Sequence, residues 1–258
     1  MSHSIELVQN VQAPPARVWR ACATAQGLQN WQADEVQGRV SAGERLRLRW
    51  PALGAEIELV VASVDVGRRV TLEAAGSRVD ITLDPGRVQV AQDGLAPGDE
   101  ADGVASSWRL SLALLAHQLE HHVGRARRVA WFFKSVRASS DAAHVFFTEP
   151  AALSSWLIRA GNLDLHSGHA QLVLGWGDHL SGKVLAHTPG RDLALSWQER
   201  DNSVLVLRTL PSPMVPNERL VAVVWSCWSD CADSARTRDG LSMAVGRLAR
   251  ILSTAGEA

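Results

Sequence analysis

The sequence predicts an α+β protein of two tandem domains, each a curved antiparallel sheet around a long C-terminal helix. Three observations support this prediction. Trp31 and Trp156 are 125 positions apart, and Trp50 and Trp176 are 126 apart, so related segments recur at a nearly constant spacing. Alternating apolar and polar residues indicate strands that have one dry face. Each half ends in a helical pattern long enough to cover that face.

The repeat sets the expected domain boundaries at residues 1–124 and 125–258. Near the end of each half, a Leu-Ser-Leu-Ala segment at 110–113 returns as Leu-Ser-Met-Ala at 241–244. The spacing between equivalent residues therefore rises from 125 to 131 along the chain. Short loop insertions in the second copy are enough to explain this increase. Two halves of this size are each large enough for a hydrophobic core of their own.

The first half is expected to begin with a strand over 5–12. Pro14 and Pro15 end that strand and favour the start of a short helix to about residue 23. A second short helical turn over 27–32 carries Trp31. Strands follow near 45–50, 56–61, 70–74, 79–83 and 88–90. A polar, Gly-rich loop is expected over 93–103, followed by a helix over 105–122 with one apolar face.

The second half repeats this order. A strand is expected over 129–136, and two short helices follow at 141–148 and 150–157. The strands after them are predicted near 161–166, 169–176, 180–188, 192–199, 203–209 and 219–228. The last helix is expected over 234–253, with its apolar residues on one stripe. Each copy is therefore a strand, two short helices, about six antiparallel strands and one long helix.

This pattern resembles the SRPBCC superfamily, the helix-grip fold shared with START lipid-transfer domains and the birch-pollen allergen. It is most similar to the C-terminal domain of the heat-shock-protein ATPase activator. The resemblance depends on segments 11–14, 18–21, 28–31 and the strand around Gly43, and on segments 148–156, 182–184 and 193–197. It implies a helix-grip fold in each half and places His144 near a cavity mouth. The superfamily includes carriers, cyclases and chaperone partners, so the resemblance leaves the function open.

The apolar inward faces predict binding or carriage of a small hydrophobic ligand between the sheet and the C-terminal helix. One alternative is a cyclase- or hydrolase-type enzyme on an apolar substrate. Another is a chaperone-partner protein resembling the heat-shock-protein ATPase activator, and a second copy of the chain is also considered as a partner. The residues expected to line a cavity are Trp31, Leu48, Trp50, Leu59, Leu72, Ile81, Trp108, Leu112, His144, Trp156, Leu174, Trp176, Leu195 and Trp197.

No catalytic residue, cofactor or metal is predicted. His117 and His121 have a spacing that metal sites use, but no third ligand is apparent. The segment 177–183 resembles a phosphate loop, yet Val184 stands where Ser or Thr would bind magnesium, so a hairpin is expected instead. Cys227 and Cys231 form at most a partial metal site, and the three cysteines are interpreted as structural thiols.

The composition argues against two other classes of partner. The net charge of −1 gives no electrostatic case for nucleic acid. No stretch approaches the ~20 apolar residues that a membrane-spanning helix needs.

The first residues show no signal-peptide pattern, and a cytoplasmic location is therefore expected.

Overall fold

The computed structural model describes residues 3–74, 76–96, 99–212, 215, 218–229 and 235–255, with side chains at all of these except 99–102 and 255. The chain forms two compact units, residues 1–127 and 128–258. The predicted boundary at 124/125 lies slightly earlier. The backbone N–H of Arg127 donates to Asn30 Oδ1 at 3.1 Å, and this bond holds the end of the first unit on its own core.

The first unit contains seven strands and three α-helices in its described part. These are β1 (His3–Asn10), α1 (Pro15–Cys22), α2 (Ala25–Gln29), β2 (Glu35–Gly38), β3 (Arg45–Trp50), β4 (Ala55–Asp65), β5 (Arg69–Ala74), β6 (Ser77–Asp84), β7 (Arg87–Leu95) and α3 (Asp99–His121). A 3-10 turn, Pro51–Leu53, connects β3 and β4. The strands form one antiparallel sheet in the order β1-β7-β6-β5-β4-β3-β2, and α3 packs against β1 and β7.

The second unit repeats this order of elements. They are β8 (Arg128–Val136), α4 (Ser140–Thr148), α5 (Pro150–Ser154), β9 (Ile158–Asp164), β10 (His169–Leu174), β11 (His179–Thr188), β12 (Asp192–Trp197), β13 (Ser203–Pro211), β14 (Arg219–Cys227) and α6 (Ala235–Ala255). The sheet order is β8-β14-β13-β12-β11-β10-β9, which matches the first sheet strand for strand. The helix α6 packs against β8 and β14. Both units are helix-grip domains, as the sequence predicts.

Local sequence accounts for the short helices. Thr24 caps α2 by accepting a hydrogen bond from the Gly27 N–H at 2.9 Å, and Ser139 caps α4 by accepting from the Ala142 N–H at 3.1 Å. Proline occupies the first turn of both α1 and α5, where a missing N–H costs no helical hydrogen bond. At Gly27, an added Cβ would lie 2.3 Å from the Arg20 carbonyl oxygen, so glycine allows α1 and α2 to approach closely.

The outer face of the first sheet carries a ladder of opposite charges. Arginines at 45, 47 and 49 on β3 pair with glutamates at 56 and 58 on β4 and at 35 on β2. These side chains are largely exposed, so each pair contributes little to stability. Because these charged side chains lie on the outer side of β3, the opposite side of β3 is the inner face.

Two features of the first half differ from the prediction. The strand β2 was missed because it is only four residues long and carries one buried apolar side chain, Val36, too few for an alternating pattern. The loop expected over 93–103 is much shorter, because β7 continues to Leu95 and α3 begins at Asp99. Pairing with β1 on one side and β6 on the other extends β7 through these polar residues.

The short second helices also end earlier than expected. The helix α2 stops at Gln29 and α5 at Ser154, so Trp31 and Trp156 lie in the turns that follow. The expected start of the last helix, Ser234, lies outside the described residues. Cys231, which the sequence analysis considered with Cys227 as a partial metal site, also lies outside them.

Candidate functional site

The inner face of the first sheet and the facing side of α3 form an apolar interior. Most of the side chains expected there are buried, namely Trp31, Leu48, Leu72, Ile81, Trp108 and Leu112. Trp50 and Leu59 are only partly buried. Two of the tryptophans satisfy their indole N–H within the unit, Trp31 on the Ala21 carbonyl at 3.0 Å and Trp108 on Gln92 Oε1 at 2.6 Å. Contact of any of these residues with a ligand stays a prediction.

Among the residues that the structure describes, the first interior is open at the β3–β4 end of the sheet. Ile57 is opposite Leu48, and Leu59 is opposite Leu46, so all four side chains share the inner face. Leu46 and Leu48 are buried, whereas Ile57 is 46% exposed. Residues of the adjoining turn, Pro51–Leu53, are also exposed or partly exposed. An apolar inner-face residue that remains in water indicates that no described helix or loop residue covers Ile57.

The second interior is likewise lined by apolar side chains. Leu174, Leu195, Trp156 and Trp197 are buried in one continuous core, and Trp176 is partly buried against it. Trp197 packs on Trp225 with ring centroids 5.9 Å apart. Trp197 Nε1 donates to the His179 carbonyl oxygen at 2.6 Å, so its polar atom is paired inside this core.

A cluster of polar groups joins the β10–β11 hairpin to α6. Asp178 Oδ2 accepts hydrogen bonds from Trp176 Nε1 at 2.7 Å, from an Arg200 terminal nitrogen at 2.8 Å and from Thr237 Oγ1 at 2.9 Å. Burial by itself would raise the pKa of the Asp178 carboxyl, but these three hydrogen bonds outweigh it and lower the pKa. We call these four residues the Asp178 cluster. Sequence reasoning missed it because Arg200 and Thr237 lie 22 and 59 residues from Asp178 along the chain.

The expected cavity residue His144 has a partner that the sequence did not indicate. His144 Nε2 on α4 lies 3.2 Å from His187 Nε2 on β11, and the two half-buried rings are nearly parallel. His187 is opposite Leu193, which places it on the inner face of the second sheet. Burial, and then the charge of His187, lowers the pKa of His144, while Asp141 and Asp192 oppose this. Burial likewise lowers the pKa of His187.

A surface groove lies between β8 and α6 in the second unit. Its volume is about 200 Å³, and it is lined by Trp131, Phe132, Phe133, Lys134, Ser242 and Val245. This volume is below the ~300 Å³ at which small-molecule sites begin. None of the residues expected from the sequence to line a cavity contributes to it.

The segment 177–183 is a hairpin rather than a phosphate loop. The residues that follow Asp178 form β11, with no helix after the turn, and Lys183 is exposed on that strand. Gly182 is required by packing, because an added Cβ would lie 1.9 Å from the Ser196 carbonyl oxygen. Within the described ranges, no three or more His, Cys, Asp or Glu side chains are arranged to hold a metal ion.

No protein-family model matches the sequence, and no curated protein matches it. Several solved structures are similar. The Aha1 dimer from Colwellia psychrerythraea is 18% identical, with a TM-score of 0.42, over 47% of this chain and 99% of its own. The di-domain ARO/CYC BexL from the BE-7585A biosynthetic pathway is 14% identical, with a TM-score of 0.40, over 100% of this chain and 94% of its own. DynU16, from the dynemicin biosynthetic locus, is 17% identical, with a TM-score of 0.41, over 96% and 98%.

All three TM-scores are below 0.5, and these likenesses support no functional statement about this chain. The fold follows instead from the strand order and the terminal helix of each unit. Within the part of the chain that the structure describes, no helix is both long enough and apolar enough to cross a membrane.

Proposed function

We propose that this protein binds a small hydrophobic molecule between the sheet and the C-terminal helix of its first unit. The observation that carries the proposal is the exposure of Ile57 on an inner face where Leu46 and Leu48 of the paired strand are buried. Covering an exposed apolar side chain is worth roughly 25 cal/mol per Å² removed from water. A ligand placed against Trp50, Ile57 and Leu59 would remove that surface from water.

The polarity of this open end supports a hydrophobic ligand. The inner-face residues around Ile57 are all apolar, and the charged ladder of β3 and β4 lies on the opposite side of the same strands. A charged ligand group buried here would lose its hydration without gaining a partner. An apolar or aromatic molecule is therefore the class that fits.

The test is a titration of the full chain with the uncharged fluorophore N-phenyl-1-naphthylamine. We expect saturable fluorescence enhancement that Ile57→Asp weakens by at least about tenfold, because the variant places a carboxylate at the apolar opening. Val8→Asp is the matched control, since Val8 is 51% exposed on the outer face of β1. No saturable binding, or equal affinity in both variants, would contradict the proposal.

One observation favours the enzymatic alternative. His144 and His187 bring two titratable rings to the inner face of the second unit, and acid–base catalysis needs such groups directed inward. This alternative predicts hydrolysis of a long-chain 4-nitrophenyl ester that His187→Gln abolishes and Ile57→Asp leaves intact. Equal rates in the wild type and His187→Gln would argue against it.

A further inference from the structure

The β3–β4 and β10–β11 hairpins are equivalent, which allows a residue-by-residue comparison. Leu46 is opposite Leu59 in the first unit, and Leu172 is opposite Leu180 in the second. One pair further toward the turn, Leu48 is opposite Ile57, and the Leu174 N–H donates to the Asp178 carbonyl oxygen at 2.8 Å. Asp178 therefore occupies the position of Ile57.

Ile57 and Asp178 differ in whether their side chain connects the hairpin to the rest of its unit. In the second unit, the Asp178 cluster ties the hairpin to Thr237, which is fully buried near the start of α6. Arg200, in the 3-10 turn Gln198–Arg200, joins the same cluster and also donates to Thr237 Oγ1 at 3.0 Å. Leu180 is consequently 0% exposed, whereas its counterpart Leu59 remains partly exposed.

A glycine in α6 completes the closure. The Trp176 ring lies so close to Gly240 that an added Cβ would be 2.3 Å from its Cδ2 atom. The spacing of 131 between the last helices places Arg109 of α3 at the position of Gly240. Arg109 carries a long side chain where Gly240 has none, so Trp50 cannot make the equivalent ring-on-backbone contact. Trp50 is accordingly only partly buried.

We infer that the Asp178 cluster closes one end of the second sheet, whereas the equivalent end of the first sheet is open. Asp178 thereby restricts ligand uptake to the first unit. The inference rests on the proposed function, because it concerns which half takes up the hydrophobic molecule. Its physical basis is that a carboxylate with three donors holds the hairpin on α6, whereas an isoleucine at the same position has no directional bond to make.

The test combines hydrogen–deuterium exchange with the stoichiometry of N-phenyl-1-naphthylamine binding, both measured on the full chain. We expect one probe per wild-type chain and slower exchange in the β10–β11 turn than in the β3–β4 turn. Asp178→Ala should speed exchange of the β10–β11 turn by about tenfold and raise the stoichiometry from one to two. Thr237→Val removes one donor with little change in shape and serves as a second variant should Asp178→Ala fail to fold.

Asp80→Ala is the matched control. Asp80 also accepts hydrogen bonds from a threonine, Thr71 at 2.5 Å, and an arginine, Arg78 at 3.0 Å, but it lies on the outer face of the first sheet. It should change neither the exchange of the β10–β11 turn nor the stoichiometry.

Two results would overturn the inference. The first is unchanged exchange of the β10–β11 turn in Asp178→Ala, and the second is faster exchange there with the stoichiometry still at one. A wild-type chain that binds no probe would instead overturn the proposed function, and the exchange measurement would still report whether Asp178 closes the hairpin.

Discussion

The indole N–H of Trp31 donates to the carbonyl oxygen of Ala21 at 3.0 Å, and Trp156 makes the same bond to Phe146 at 2.8 Å. Donor and acceptor are ten residues apart in both units, and each bond ties the turn after the second short helix to the first helix. Both indoles are almost completely buried. This bond gives the tryptophan a structural role in both units, because a buried indole N–H requires a partner. The recurrence of tryptophan at these two positions therefore needs no ligand to explain it.

We expect Trp31→Phe and Trp156→Phe each to lower the free energy of unfolding of their own unit by about 1–3 kcal/mol, since a buried carbonyl loses its donor. Urea unfolding followed by circular dichroism measures this. Trp50→Phe is the control and should cost less, because Trp50 is only partly buried. An equal loss in all three variants would show that ring volume, rather than the hydrogen bond, is responsible.

Two glycines in α6 should respond to alanine in opposite directions. Gly246 has open space around an added Cβ, so Gly246→Ala should stabilise the helix by about 0.5–1 kcal/mol. Gly240→Ala gains the same propensity but forces the Trp176 ring away from the helix, and we expect a net loss of about 1–3 kcal/mol. Thermal unfolding of both variants tests this, and stabilisation by Gly240→Ala would contradict the ring contact.

The His144–His187 pair should make the second unit sensitive to acid. Both pKa values are lowered in the folded protein, so the neutral pair contributes its full stability above the unfolded value of about 6.5 and loses it as the pH falls below that value. We therefore expect the unfolding free energy to decrease between about pH 7.5 and 5.5. His187→Gln should flatten this dependence, measured by urea unfolding at each pH.

Val145→Ala provides the control, because Val145 is exposed and lies on α4 next to His144. This variant should keep the wild-type pH dependence of the unfolding free energy. Identical pH dependences in the wild type and His187→Gln would show that the pair does not couple folding to protonation.

Cys22 should resist alkylation in the folded protein. Burial raises the pKa of its thiol to about 12, so almost no thiolate is present at neutral pH. We expect no iodoacetamide modification of the Cys22 peptide at about pH 8, and complete modification in denaturant, as read by mass spectrometry. Rapid alkylation of Cys22 without denaturant would contradict its burial.

Local pattern was sufficient for most elements. The alternation of arginine with Leu46, Leu48 and Trp50 correctly predicted both the strand and its inner face. It failed for β2, whose four residues are too few to show a period. The pairing of His144 with His187 was not predictable, because the two residues are 43 positions apart and meet only when α4 packs on the second sheet.

The sequence by itself determined the duplication, the strand–helix order and the face on which each apolar side chain lies, because these depend on spacings of a few residues. Only the tertiary structure decided which inner-face residues are covered. Ile57 and Asp178 occupy equivalent positions, yet one remains in water and the other bonds to Thr237, 59 residues further along the chain. Coverage is a property of the packing of distant segments, and short-range periodicity carries no information about it.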